Sequence, residues 1–86
     1  MINNTLTTRD FLRIFDLIST NGIKSNGAYE FLGIRAWHDF DGYTCWLAYN
    51  DLTITMLFHG KFSVEYQEED TFNKFNKKVN SLMNNH

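Results

Sequence analysis

The sequence is poor in the features that usually announce an activity. It has one cysteine, Cys45, no proline and five glycines in 86 residues, and no apolar run approaches the ~20 residues needed to span a bilayer. A single cysteine excludes an internal disulfide. Small secreted domains usually depend on such staples, so a reducing compartment is expected. The start, Met1-Ile2-Asn3-Asn4-Thr5, has neither the basic region nor the apolar run of a signal peptide, and neither end carries a lipidation motif. The expected location is therefore cytoplasmic, with no membrane partner. An excess of one charge is also missing. The formal net charge is -2 and the pI about 5.8, which gives no electrostatic footprint for nucleic acid or anionic lipid. There is no Cys-x-x-Cys, no phosphate-cradling glycine loop and no nucleophile elbow.

What the chain does have is apolar bulk. Hydrophobic residues make up 43% and aromatics 16%, with eight Phe, four Tyr and two Trp. The length allows one domain, residues 1–86, with one core. Each large aromatic buries roughly 150–250 Å², so a few of them fill a thin core.

Two segments have helical periodicity. Thr7 and Asp10 have capping-box spacing, Leu6 and Phe11 that of a hydrophobic staple, and Phe11, Ile14, Phe15 and Ile18 recur on one face beside Leu12 and Leu17. Asn21-Gly22 reads as a left-handed stop, which predicts a helix over 8–20. Near the other end Phe72, Phe75, Val79 and Leu82 form a stripe edged by Met83. Glu68, Glu69 and Asp70 precede Lys74, Lys77 and Lys78, an order that complements the helix dipole, and Asp70 and Lys74 have i,i+4 spacing.

Between the helices the period falls to two. Asp41-Gly42 signals a two-residue hairpin turn, Asn50-Asp51 a second, and residues 59–61 a three-residue loop. Leu32-Gly33 is either a further turn or a bulge in one longer strand. These turns pair Phe40 with Tyr43, His38 with Cys45, Ala36 with Leu47 and Ile34 with Tyr49. They go on to pair Tyr49 with Leu52, Leu47 with Ile54, Cys45 with Met56, Phe58 with Phe62 and Met56 with Val64. All of these fall on one nearly apolar face, and a one-residue slip would mix the faces. If Leu32-Gly33 is a turn, Tyr29 and Phe31 join that face and Glu30 lies opposite Arg35 on the other. The expected fold is α+β: a two-layer sandwich in which an antiparallel meander of four to five strands carries the N- and C-terminal helices on one face.

The same register leaves the other face without a helix. It carries Arg35, Trp37 and Asp39, then Thr44, Trp46 and Ala48, then Thr53, Thr55 and Leu57, then Ser63 and Glu65. Trp37 lies directly opposite Trp46, with Thr55 and Glu65 continuing the row. Trp and Arg are enriched at binding hot spots, and contiguous exposed apolar patches mark interaction surfaces. Trp37, Trp46, Arg35 and Leu57 are therefore the candidate binding residues. A cross-strand Trp pair also stabilises a sheet on its own, by about 0.2–1 kcal/mol.

Catalytic and metal chemistry find little support. His38 and Asp39 are neighbours on a strand and point to opposite faces, and Asp41 is explained by its turn. His38 reads as a rim histidine that donates to a carbonyl, His59 as a loop residue, and Cys45 as a small hydrophobe of the core face. The lysine cluster reads as a solvated helix face.

The run His38-Asp39-Phe40-Asp41-Gly42-Tyr43, with Leu57-Phe58-His59, the spaced aromatics Phe62 and Tyr66, and the opening helix Phe11-Leu12-Arg13-Ile14-Phe15, resembles a small bacterial family of uncharacterised proteins, a domain of unknown function. The resemblance implies a short bacterial cytoplasmic protein and supplies no activity, cofactor or catalytic residue. The expected function is a non-enzymatic interaction module, a homodimer or a binder of another protein through the helix-free face. The alternatives are a single-strand nucleic-acid binder, disfavoured because Asp39 and Glu65 oppose Arg35, and a small-ligand or metal protein near His38 and His59. No cofactor and no metal site is expected.

Overall fold

The computed structural model describes residues 7–57 and 61–85; the side chains of Phe62 and Asn85 are not among the described groups. Helix α1 (Thr8–Asn21) leads into six strands: β1 (Ile23–Ser25), β2 (Ala28–Phe31), β3 (Ile34–His38), β4 (Thr44–Tyr49), β5 (Leu52–Leu57) and β6 (Phe62–Glu65). Helix α2 (Glu69–Asn85) closes the chain. The strands form one antiparallel sheet in sequential order, which is the α+β meander read from the sequence with one strand more than the four to five expected. The additional strand is β1, joined to β2 through Asn26 (φ 54) and Gly27 (φ 81), two left-handed residues that make a tight hairpin. All three β1 residues are exposed, so no alternation marks the strand in the sequence.

The capping box of α1 forms as expected. The Asp10 amide donates to Thr7 Oγ1 at 3.1 Å, and the Thr7 amide donates to Asp10 Oδ2 at 3.2 Å. Leu6, the expected staple partner, lies outside the described residues. Phe11, Ile14 and Ile18 are buried. The stop at Gly22 differs from the expectation: its backbone is extended (φ -87, ψ 173), not left-handed. Space explains the residue, because a Cβ there would lie 2.5 Å from the Ile18 carbonyl oxygen and 2.7 Å from that of Glu30. Glycine lets the end of α1 press against β2.

Leu32 (φ 53) and Gly33 (φ 82) form a turn rather than a bulge, and Phe31 pairs with Ile34 and Glu30 with Arg35. Strands β3 and β4 pair as the sequence predicts, with Ala36 opposite Leu47, Trp37 opposite Trp46 and His38 opposite Cys45. The connection is wider than two residues, however. The Asp39 amide donates to the Thr44 carbonyl at 3.0 Å and the Gly42 amide to the Asp39 carbonyl at 3.1 Å. Asp39 Oδ1 also accepts from the Thr44 amide at 3.3 Å. These bonds close the ladder at Asp39 and Thr44, so Phe40 and Tyr43 leave the sheet. Phe40, which parity assigned to the core face, is fully exposed.

The β4–β5 register agrees throughout, from Tyr49–Leu52 to Cys45–Met56. The β5–β6 register is shifted by two residues. Met56 pairs with Phe62 and Ile54 with Val64, and the Leu57 amide donates to the Lys61 carbonyl at 2.7 Å. The connecting three residues are thus 58–60, one position earlier than expected. Phe58, the expected partner of Phe62, lies outside the described residues. A shift of two preserves every residue's face, which is why alternation alone does not detect it.

Both helices lie on the face that carries Ile34, Ala36, Leu47, Leu52 and Ile54. Phe11, Ile14, Ile18, Phe75, Val79 and Leu82 complete one buried cluster. Phe75 meets the Tyr49 ring at a centroid distance of 6.1 Å. Arg13 Nη2 reaches the Met83 carbonyl at 3.4 Å and ties α1 to α2. The Asp70–Lys74 pair forms at 3.3 Å on an exposed surface, where such pairs contribute little. No helix among the described residues is long and apolar enough to cross a membrane.

The β4–β5 turn also anchors α2. Asn50 adopts φ 53, and the neighbouring Asp51 carboxylate accepts the Gln67 amide at 2.9 Å and the Glu68 amide at 2.8 Å through Oδ2. It stands at the positive end of the helix dipole. The Thr71 hydroxyl, with the Glu68 and Gln67 amides, holds the Asp51 carboxyl below its ordinary value of 3.8. A group with a depressed folded-state pKa stabilises the fold above its unfolded value, and that contribution disappears as pH falls through the folded value. Asp51→Asn is therefore expected to lower Tm at neutral pH, with the difference from wild type shrinking below about pH 4. Thermal unfolding followed by circular dichroism from pH 7 to pH 3 checks it; a difference independent of pH would contradict the charge-based anchor.

Candidate protein interface

Three cross-strand rows make up the helix-free face, and the register places every residue in them. The first runs Ile23, Glu30, Arg35, Ala48, Thr53, Glu65. The second runs Ser25, Ala28, Trp37, Trp46, Thr55, Ser63. The third, at the end where β3 meets β4, holds Asp39, Thr44, Leu57 and Lys61. Side-chain alternation puts all of them on the side away from α1 and α2. The four residues singled out from the sequence, Arg35, Trp37, Trp46 and Leu57, share this face. The sequence-level row that joined Thr55 to Glu65 is corrected by the two-residue shift: Ser63 stands beside Thr55, and Glu65 beside Thr53.

The two indoles stack with centroids 5.7 Å apart and planes at 15°. The Arg35 guanidinium lies over the Trp37 ring at 5.4 Å from its centroid, a cation–π arrangement. Mutual stacking leaves both rings half-buried, and Ala28, the row neighbour of Trp37, is buried. Beside this ridge the surface drops into a hollow of about 250 Å³ lined by Thr55, Leu57, Lys61 and Ser63. Two of its lining residues, the small Thr55 and Ser63, stand opposite each other on β5 and β6. The hollow, Lys61 and the exposed loop aromatics Phe40 and Tyr43 were not singled out from the sequence. The hollow depends on the true β5–β6 register, and Phe40 on the unexpected width of its loop.

The family described as Protein of unknown function (DUF3081) matches residues 6–86. The chain belongs to this family. No curated protein and no solved structure matches it. The DUF3081 assignment agrees with the uncharacterised family anticipated from the hairpin and helix motifs, and it brings no activity with it.

The other chemistry-bearing groups of this DUF3081 chain have structural surroundings. His38 Nδ1 donates to the Asp39 carbonyl at 2.8 Å, as a rim histidine would. Burial pushes the half-buried Cys45 thiol up, and the Asp39 carboxylate adds to the effect, the reverse of what activates a nucleophile. Among the described residues no group of three or more His, Cys, Asp or Glu side chains is placed to hold a metal ion; His59 lies outside them. Lys74, Lys77 and Lys78 line a groove of about 540 Å³ with Phe31, Leu32 and Tyr49. Two of these lysines are engaged: Lys74 with Asp70, and Lys78 with the Leu32 carbonyl at 2.8 Å and over the Tyr49 ring at 5.2 Å. Lys78 thereby ties α2 to the β2–β3 turn.

Proposed function

We propose that this chain is a non-enzymatic interaction module that docks a second copy of itself through the helix-free face of its sheet. The observation that carries the reading is the stacked Trp37–Trp46 pair, flanked by Arg35, on the one sheet face that neither helix covers. A folding domain gains more by burying two tryptophans under a helix than by leaving them half-exposed on an outer face. Trp and Arg are the residue types that dominate interface energies, and two-fold homodimers are the commonest soluble oligomers. The charges of the face are mixed, Arg35 and Lys61 with Glu30, Asp39 and Glu65, which suits a protein surface better than a track for phosphates.

Sedimentation velocity over micromolar concentrations tests the reading. Wild type is expected to shift from monomer to dimer as concentration rises, and Trp46→Ala to remain monomeric while still folded by circular dichroism. A wild-type monomer at every concentration removes self-association, and an undisturbed dimer in Trp46→Ala moves it to another surface.

A further inference from the structure

The helix-free face is complementary to itself about one particular axis. A face-to-face dimer has its two-fold axis in the plane of the interface, and each residue then meets the residue at the mirrored position on the partner. We infer that the dimer axis runs along the strands between β4 and β5, so that β3 of one copy lies over β6 of the other and β4 over β5. This rests on the proposed self-association, and it specifies the geometry of that association.

The three rows support this axis together. In the first, Arg35 on β3 meets Glu65 on β6 of the second copy. In the third, Asp39 next to β3 meets Lys61 next to β6. In the second, Trp37 meets Ser63 and Trp46 meets Thr55. Two oppositely charged pairs thus form, each twice by symmetry. Each indole lands on a small hydroxyl residue, and the ridge of one copy fills the hollow lined by Thr55, Leu57, Lys61 and Ser63 of the other. Arg35, Lys61, Ser63 and Glu65 are exposed in the single chain and so available to a partner. Sheets packed face to face keep their strands nearly aligned, which this axis respects.

Other axes fail on the same residues. An axis along the strands between β3 and β4 sets Trp37 over Trp46, ridge against ridge, and leaves Arg35 over Ala48. An axis across the strands through the tryptophan row pairs Arg35 with Asp39 and Lys61 with Glu65, yet it forces each indole onto its own copy. Only the axis between β4 and β5 satisfies charge and shape together.

Charge exchange reads the axis directly. Sedimentation of Arg35→Glu and of Glu65→Arg is expected to show dimer dissociation constants raised roughly tenfold or more, because each exchange sets like charges together at two symmetric places. Combining Arg35→Glu with Glu65→Arg is expected to restore the wild-type value. Arg35→Asp combined with Asp39→Arg is the control for the crosswise axis and is expected to stay weak. Circular dichroism confirms that each variant folds. If wild type dimerises and Trp46→Ala does not, but the first double exchange fails to restore association, the axis is wrong and the docking face stands. Restoration by the Arg35–Asp39 exchange instead would place the axis across the strands. A monomeric wild type overturns both inferences.

Discussion

Leu47→Ala is expected to cost about 2–5 kcal/mol and Phe75→Ala about 3–5 kcal/mol, because each empties a fully buried position of the one apolar layer between sheet and helices. At ~0.05–0.15 kcal/mol per residue, a chain of this length holds about 4–13 kcal/mol in all. Either substitution removes a large share, and a loss of about 2 kcal/mol alone lowers Tm by roughly 8–16 °C in a domain of this size. Trp37→Thr is the matched contrast. It replaces a half-buried ring on the outer face with a good strand former, and gives up the indole stack with Trp46 and the Arg35 cation–π contact while keeping a smaller cross-strand pair. A cost below about 1.5 kcal/mol is expected from cross-strand energies with an allowance for partial burial. Denaturant unfolding of the three variants checks the comparison. A Trp37→Thr cost equal to that of Leu47→Ala would mean that the outer face is a second core.

Gly22→Ala is expected to be as damaging as a core truncation in spite of adding only a methyl group. The backbone at Gly22 is extended and open to any residue, so conformational strain is not the cause. The cause is contact with backbone atoms on both sides, the Ile18 and Glu30 carbonyls, neither of which a rotamer change relieves. The end of α1 must then move away from β2 and loosen Ile18 and Ile14. Overpacking of this kind costs typically about 1–3 kcal/mol, and more when backbone must shift. Chemical denaturation measures it. A neutral Gly22→Ala would mean that α1 does not approach β2 so closely.

Most of the fold is legible in the sequence because turns and alternation constrain each other. Hairpin turns tested by whether their register keeps apolar residues together lead to the pairing of β3 through β5 and to the opposition of Trp37 and Trp46, and the turn at Leu32-Gly33, one of two readings left open there, adds β2. The features missed share a physical reason: alternation along a strand does not encode them. Strand β1 buries none of its residues, so only its Asn26-Gly27 turn betrays it. Alternation carries Phe40 into the core, whereas hydrogen bonds at Asp39 and Thr44 end the ladder before it. The β5–β6 shift is invisible to a period of two. Gly22 has the position of a left-handed cap and the role of a spacer, and the spacing depends on a strand eight residues away. Asp51 reads as a turn residue, while its second task, holding the start of α2, spans 16 and 17 residues. The candidate interface was half legible for the same reason: its ridge lies within well-registered strands, and its hollow lies across the shifted pair.

The central claim is that the helix-free face associates with itself, and the protein carries its own reporter there. Trp37 and Trp46 are its two tryptophans, and both belong to that face, so fluorescence excited at the red edge, where tyrosine does not absorb, observes the proposed interface. Emission spectra and acrylamide quenching recorded from sub-micromolar to tens of micromolar protein measure it directly. A blue shift and reduced quenching are expected as concentration rises, with a midpoint that matches sedimentation and moves roughly tenfold or more higher in Arg35→Glu. Emission and quenching that stay constant across the whole range, with the protein folded throughout, would contradict it.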